Sequence, residues 1–320
     1  MKHVFVFDPK AFIEQEWRID QILDTLGQFF RTQENPDFSI HYSRYRRNAM
    51  WIIQKEAEKT DTGEIIRIYA VGGDEILFDC LNAAAYFPNT QLAMLPYGTS
   101  SDFLKIFGDD NIDSFRDIPV IVSAETTPTD VIRWGVNYAL NSCYIGANSN
   151  ISKRIKDLES SLGRKSFIVF SKVFSFISFI LSAFDEQISN KKYKITIDDK
   201  DYSGHYSFIH VANGPYYAGK ITGAKYATPN DGLLDISLIK SSHPLGTLLS
   251  MRRYSRGKMS KDSLFFHAKK ITVETDSQMW IQLDSEFVQD TSITINVVPH
   301  AINMVAVNNL SYPIASIVAL

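Results

Sequence analysis

Cysteine is scarce in this 320-residue sequence: Cys80 and Cys143 are the only two, far apart and in no Cys-x-x-Cys pattern. That excludes a disulfide framework and fits buried thiols in a reducing compartment, so a cytoplasmic location is expected. Charge of one sign is also missing. A formal net charge of -3 provides no global basic field, and nucleic acid is therefore excluded as the main partner. The histidines have no metal-ligand spacing; His205 and His210 are five apart on a predicted strand and point to opposite faces. No Ser-His-Asp or Cys-His arrangement is present, nor any internal repeat, low-complexity segment or long linker. The N-terminal "MKHVFVFDPKAF" is too short in its apolar part for a signal-peptide core and reads as a first strand. One long apolar run exists, residues 166–184, but Lys172 and five serines interrupt it, which disfavours a spanning helix. It reads as a buried amphipathic helix. Peripheral contact with the inner face of a membrane is the alternative, because Lys153, Arg154, Lys156, Arg164 and Lys165 precede the run and suit anionic lipid.

What is present is enough chain for two domains. The first part alternates strand and helix signals as a doubly wound sheet does. Strands are predicted at 3–7, 38–43, 64–71 and 91–96, and helices at 12–30, 48–60, 75–87 and 99–108, the last capped by Gly108. After about residue 120 the pattern changes to strands joined by turns. Residues 130–146 have no helical period and carry a turn at Asn137; 193–214 reads as a hairpin turning at 198–201; "LLDISLIK", "KKITVETD", "MWIQLDSEFV" and "SITINVV" supply more strands. The second domain is expected to be a β-sandwich with the 166–184 helix laid across it.

The stretch "YAVGGDEILFDCLN" (69–82) runs from a strand through two glycines into a helix. Free backbone N–H groups at such a turn can cradle phosphate, with Gly72 and Gly73 allowing close approach and Asp74 holding Mg²⁺. A tight turn with Asp74 as helix N-cap and Glu75 as a first-turn acid explains the same residues. "LPYGTSSDF" (95–103) repeats the pattern with Thr99 and Asp102 at its mouth, and two adjacent turns would form one crevice at the carboxyl ends of the strands. Helix capping is the plainer account of Thr99 and Ser101. Asp231 stands in a Pro-Asn-Asp-Gly turn ahead of Asp235, and "LDSEF" places Asp284 and Glu286 on one strand face. Paired acids repel unless they serve a cation or share a proton, or simply face water.

The order "VGGDE", "LPYGTSSDF", "VANGPYYAGK", "PNDGLLD", "LDSE" resembles the diacylglycerol kinase catalytic domain family, and in particular its bacterial lipid kinases, relatives of the sphingosine and ceramide kinases. The resemblance runs from about residue 3 to about residue 307. It implies an α/β ATP-binding domain over 1–127, a β-sandwich lipid-substrate domain over 128–307, a tail at 308–320 placed to pack back on the first domain, and an active site in the cleft between domains. It further implies ATP and Mg²⁺ as cofactors and transfer of the γ-phosphate to the hydroxyl of diacylglycerol or a similar lipid at a membrane surface. By the same resemblance Gly72, Gly73 and Asp74 correspond to the phosphate-binding Gly-Gly-Asp, with Glu75 beside them. Gly98, Thr99 and Asp102 correspond to the second nucleotide motif, and Ser43 to a nucleotide-contacting threonine. Asp231, with carbonyls near Thr228 and Leu233, corresponds to a structural Mg²⁺ site, and Asp284 and Glu286 to the Asp-Gly-Glu motif that supplies the general base. A homodimer is compatible with all of this.

The sequence also departs from the family. Glu75 and Ile76 stand where Gly-Thr is usual, Asp8-Pro9 lacks the following glycines, Ser101 replaces asparagine and Ser285 replaces glycine. A carboxylate beside phosphates is repulsive, by about 1 kcal/mol at ~4 Å in water and more at lower dielectric. Three readings follow: an active ATP-dependent lipid kinase, a non-catalytic lipid-binding or regulatory relative, and a soluble small-molecule kinase of the NAD kinase type. "NGP" and "DGLLD" speak against the third.

Overall fold

The computed structural model describes residues 1–320 except 14, 62, 99, 163–190, 217–221, 259, 260, 262 and 313–320. The apolar run 166–184 thus lies outside the described residues. Four parallel strands, β1 (Lys2–Phe7), β2 (Phe38–Tyr42), β3 (Ile66–Gly72) and β4 (Thr90–Pro96), lie in the order β2-β1-β3-β4. The apolar runs of β1, β3 and β4 are what a sheet covered on both faces requires, and every residue of β3 is buried, whereas β2 at the edge is only partly so. Helices α1 (Trp17–Arg31), α2 (Asn48–Lys59) and α3 (Asp74–Ala84) supply the cover, as in a doubly wound fold. Phe5 stacks on Tyr69 at 4.1 Å and Phe30 on Phe38 at 4.3 Å, locking α1 and β2 against the sheet.

Two predicted helices are shorter than expected. Over 12–30 the helix gives way to a 3-10 turn at Pro9–Phe12, started by Asp8 accepting from the Lys10 N–H, before α1 begins at Trp17. Over 99–108 only Phe103–Phe107 is helical, and as 3-10, because Gly108 follows at φ 90° and ends it. A short α4 (Ile118–Ser123) precedes β5 (Glu125–Trp134), which crosses into the second domain.

There β6 (Asn137–Ala139), β7 (Ser142–Gly146), β8 (Lys191–Ile197), β9 (Lys200–Asp201), β10 (Gly204–Ala212), β11 (Leu234–Lys240), β12 (Ser263–Ala268), β13 (Lys270–Leu283) and β14 (Glu286–Ala306) build the sandwich-like part. The turn predicted at Asn137 falls instead on Gly135, at φ 56°, and Val136. The 198–201 hairpin turns on Asp198 and Asp199, both at positive φ, with Ile197 opposite Lys200. Two helices absent from the sequence reading appear, α5 (Ala147–Leu162) and α6 (Pro244–Tyr254). β14 does not stop at the second domain. Its last residues pair with β5 and β4, and Ile302, Met304 to Val307 and Tyr312 belong to the core of the first domain.

Two buried side chains tie the halves together. Asn82 of α3 donates to the Tyr138 carbonyl and accepts from the Tyr138 N–H, so a helix side chain pairs with β6 as a strand would. Asp130 of β5 is fully buried and accepts from the Gly232 N–H at 2.7 Å and the His300 N–H at 2.8 Å. Asp130→Ala would strand both donors; a loss of about 2–5 kcal/mol in equilibrium urea unfolding is expected.

Candidate active site

The turns after β3 and β4 meet backbone to backbone. The Gly72 carbonyl accepts from the N–H groups of Tyr97 and Gly98 at 3.0 and 2.8 Å. A Cβ on Gly98 would lie 2.5 Å from the Gly73 nitrogen, and one on Gly72 would meet Ile76 at 2.9 Å and Asp8 at 3.0 Å. These two glycines are demanded by contact of the turns with each other and with the Asp8 loop. Gly73 is the N-cap of α3, so Asp74 and Glu75 occupy the first turn, where the helix dipole favours acids. The Asp74 N–H donates to the Ser100 carbonyl at 3.2 Å, and the Asp102 N–H donates to Asp74 Oδ2 at 3.3 Å. Asp102 is buried and paired with Lys105. Thr99 lies outside the described residues.

A third carboxylate arrives from the second domain, though not as a strand-face pair. Leu283 is opposite Glu286, so Asp284 and Ser285 are the two turn residues between β13 and β14, with Asp284 at φ 47°. Asp284 and Glu286 therefore diverge. The Asp284 carboxylate accepts three backbone N–H groups, from Leu140 at 2.6 Å, Asn141 at 3.1 Å and Ser142 at 2.8 Å. Glu286 turns the other way into an ion pair with Arg46, with Arg47 3.9 Å away.

Burial, then the charges of Asp102 and Asp284, raise the pKa of Asp74 to about 7 against hydrogen bonds from Ser100 and the Asp102 N–H. Burial likewise raises Asp284 to about 6, opposed by its three backbone donors and assisted by Asp102. Three acids thus face one space, and burial with their mutual charge raises the pKa of Asp74 and Asp284.

Two pockets flank this group. The larger, about 1140 Å³, has Asp74, Asp102 and Asp284 on one wall and apolar side chains such as Leu77, Ile155, Leu248 and Met251 elsewhere. The smaller, about 210 Å³, is lined by the cations Lys10, Arg46 and Lys156, by the acids Asp8, Glu75, Asp79 and Glu286, and by Ser43. Phe78 and Ser285 line both. Ser43 follows β2 and its N–H donates to the Phe7 carbonyl. Glu75 is exposed and pairs with Lys156 of α5 at 2.8 Å, and Lys156 also donates to the Ser285 carbonyl at 3.1 Å. Lys156 and Arg46 escape sequence reasoning because each meets its acid across more than 80 residues of chain. Thr228, Asp231 and Leu233 lie apart from both pockets. There Asp231 accepts from the Leu233 N–H at 2.9 Å, Thr228 donates to the Tyr226 carbonyl at 3.2 Å, and burial raises the Asp231 pKa.

Known proteins share this two-domain fold. The model of the diacylglycerol kinase catalytic domain matches residues 4–134, and that of the YegS C-terminal NAD kinase beta sandwich-like domain matches residues 142–306. The chain belongs to this two-domain kinase family. Relatives from Staphylococcus aureus strains JH9 and JH1, each named "Putative lipid kinase", are 26% identical over 280 residues, covering 85% of this chain and 87% of theirs. Among solved structures, a "putative diacylglycerol kinase from Bacillus anthracis str. Sterne" superposes with a TM-score of 0.73 at 23% identity, covering 97% of this chain and 98% of that one. A second structure from the same organism gives 0.72 at 22% identity.

The donor chemistry around α3 fits a phosphate-bound hard cation. Asp74 and Asp102 offer oxygen only, and Mg²⁺ characteristically takes one or two carboxylates and completes its shell with water and phosphate. Among the described residues no group of three or more His, Cys, Asp or Glu is arranged to hold a metal alone. In the small pocket Lys10, Arg46 and Lys156 can contact a polyphosphate, against the opposing charge of Asp8, Glu75, Asp79 and Glu286, two of which already pair with Arg46 and Lys156.

Asp74→Asn tests the electrostatics. The folded pKa is above the unfolded one, so below about pH 4 both states are protonated and Asp74 has no effect on stability. As pH rises toward about 7 the unfolded state loses its proton first and the folded state is penalised. The variant, which keeps an acceptor for the Asp102 N–H, is expected to unfold at higher urea than the parent at pH 7–8, with the gain vanishing by pH 4.

Proposed function

We propose that this chain is an ATP-dependent lipid kinase that moves the γ-phosphate of ATP to the hydroxyl of diacylglycerol or a similar long-chain alcohol. The supporting observation is the pair of unlike pockets sharing one wall at Phe78 and Ser285, one lined mostly by polar and charged side chains of both signs, the other apolar and acid-tipped. A nucleotide polyphosphate suits the first and acyl chains the second. ATP supplies the phosphoryl group, and Mg²⁺ supplies charge that neutralises it.

The chain's own residues would act as follows. Lys10, Arg46 and Lys156 hold the polyphosphate, and Asp74 and Asp102 hold the cation. Glu286 orients Arg46 through their ion pair. The Asp284 carboxylate, fixed by three N–H donors and largely ionised at neutral pH, takes the proton of the lipid hydroxyl as its oxygen bonds to phosphorus and ADP leaves. The apolar wall excludes water, which would otherwise compete as acceptor. Glu75 speaks less strongly against nucleotide than its position suggests, because Lys156 neutralises it. A cavity so apolar also disfavours a soluble acceptor of the NAD type.

The test is transfer of label from [γ-³²P]ATP to vesicles containing diacylglycerol, with Mg²⁺. Labelled lipid is expected from the parent and about 10²–10⁴-fold less from Asp284→Asn, the range for loss of a general base. No labelled lipid together with no rise in melting temperature on adding Mg-ATP would overturn the proposal in favour of a non-catalytic lipid-binding relative.

A further inference from the structure

Helix α6 is packed with its faces reversed. Thr247, Ser250, Met251 and Tyr254 are buried, whereas Leu245 and Leu249 are 68% and 58% exposed. With Leu248 they form one stripe at i, i+3 and i+4, at the mouth of the apolar cavity that all three help to line. A helix facing only water normally turns its leucines inward. The chain that carries this stripe is basic: from Lys240 to Lys261 it holds Lys240, Arg252, Arg253, Arg256, Lys258 and Lys261 and no acid before Asp262, in a protein of net charge -3. Arg252, Arg253, Arg256 and Lys258 are all exposed.

A second copy of the same face would bring this positive charge against itself. An anionic bilayer answers both features, offering an apolar interior to the leucines and negative headgroups to the basic side chains. We propose that α6 docks this protein on an anionic lipid bilayer, with Leu245 and Leu249 entering the acyl boundary and Arg252, Arg253, Arg256 and Lys258 meeting the headgroups. On the lipid-kinase reading, which the role of the cavity rests on, a lipid then enters directly from the leaflet without its chains crossing water.

Cys80 and Cys143 are completely buried, so Leu249→Cys can be labelled alone with an environment-sensitive fluorophore such as NBD. The labelled protein is mixed with phosphatidylglycerol/phosphatidylcholine vesicles or with phosphatidylcholine alone, without nucleotide or diacylglycerol. A blue shift with anionic vesicles only, reversed by 1 M salt, is expected. Arg253→Gln with Arg256→Gln, neither of which lines the cavity, is expected to weaken vesicle partition about 30-fold, roughly fivefold per charge. Co-sedimentation without a spectral change would place docking on another surface and overturn the proposal. So would absence of co-sedimentation, or a shift that follows protein concentration instead of lipid, which would mean that a second copy covers the face. Docking with no phosphoryl transfer would sink the kinase reading alone.

Discussion

Three backbone N–H groups, those of Leu140, Asn141 and Ser142, converge on the carboxylate of Asp284, and most of the cleft is organised around that bend. On its other side the Asn141 carbonyl accepts from the N–H groups of Asn213 and Gly214, while the Asn213 side chain donates to the carbonyls of Asp130 and Leu140. Gly214 comes so close to Asn141 that a Cβ there would collide with its side-chain oxygen. The bend at 140–142 thus gathers the β13–β14 turn, the Asn-Gly-Pro segment and the strand between domains into one hydrogen-bonded junction. Through the Asn82–Tyr138 pair it also fixes α3, whose first residue brings Asp74 toward Asp284.

The electrostatic consequence is a wall of acids held together by neutral backbone groups. Structural stability alone would not favour Asp74, Asp102 and Asp284 facing a common space, since burial and mutual charge raise two of the three pKa values. The smaller pocket follows different chemistry: Glu75 and Glu286 are each met by a cation, Lys156 and Arg46. Glu75, the largest departure from the family's pattern, is accommodated by a partner from the other domain.

Much of this was legible beforehand. The parallel strands of the first domain announce themselves by apolar runs ending in glycine turns, and the motif order points to the two-domain family. Local chemistry misleads where tertiary contacts decide. Asp284 and Glu286 read as a strand face, but the two-residue turn at 284–285 sends them apart. Gly98 corresponds to the second nucleotide motif by resemblance alone, and its missing side chain leaves room for the Gly73 backbone, a contact the sequence does not show. Helix α5 is visible in hindsight through Ile151, Ile155 and Leu158 at helical spacing, but its basic residues read as a flank of the apolar run that follows. Helix α6 is hard to foresee for a physical reason: its leucine stripe faces outward, and a periodicity argument assumes the reverse.

A single strand, β14, runs through both domains, pairing with β13 from Glu286 to Asn296 and with β5 from Ile295 to Ala306. Its ladder with β5 is interrupted only between Val298 and Ile302, around Pro299 and a His300 at φ 50°. The halves are therefore joined by a continuous girder with one soft joint. At that joint Asp130 holds the His300 N–H. Because β14 is shared, neither half can lose its strand pairing without stripping hydrogen bonds from the other.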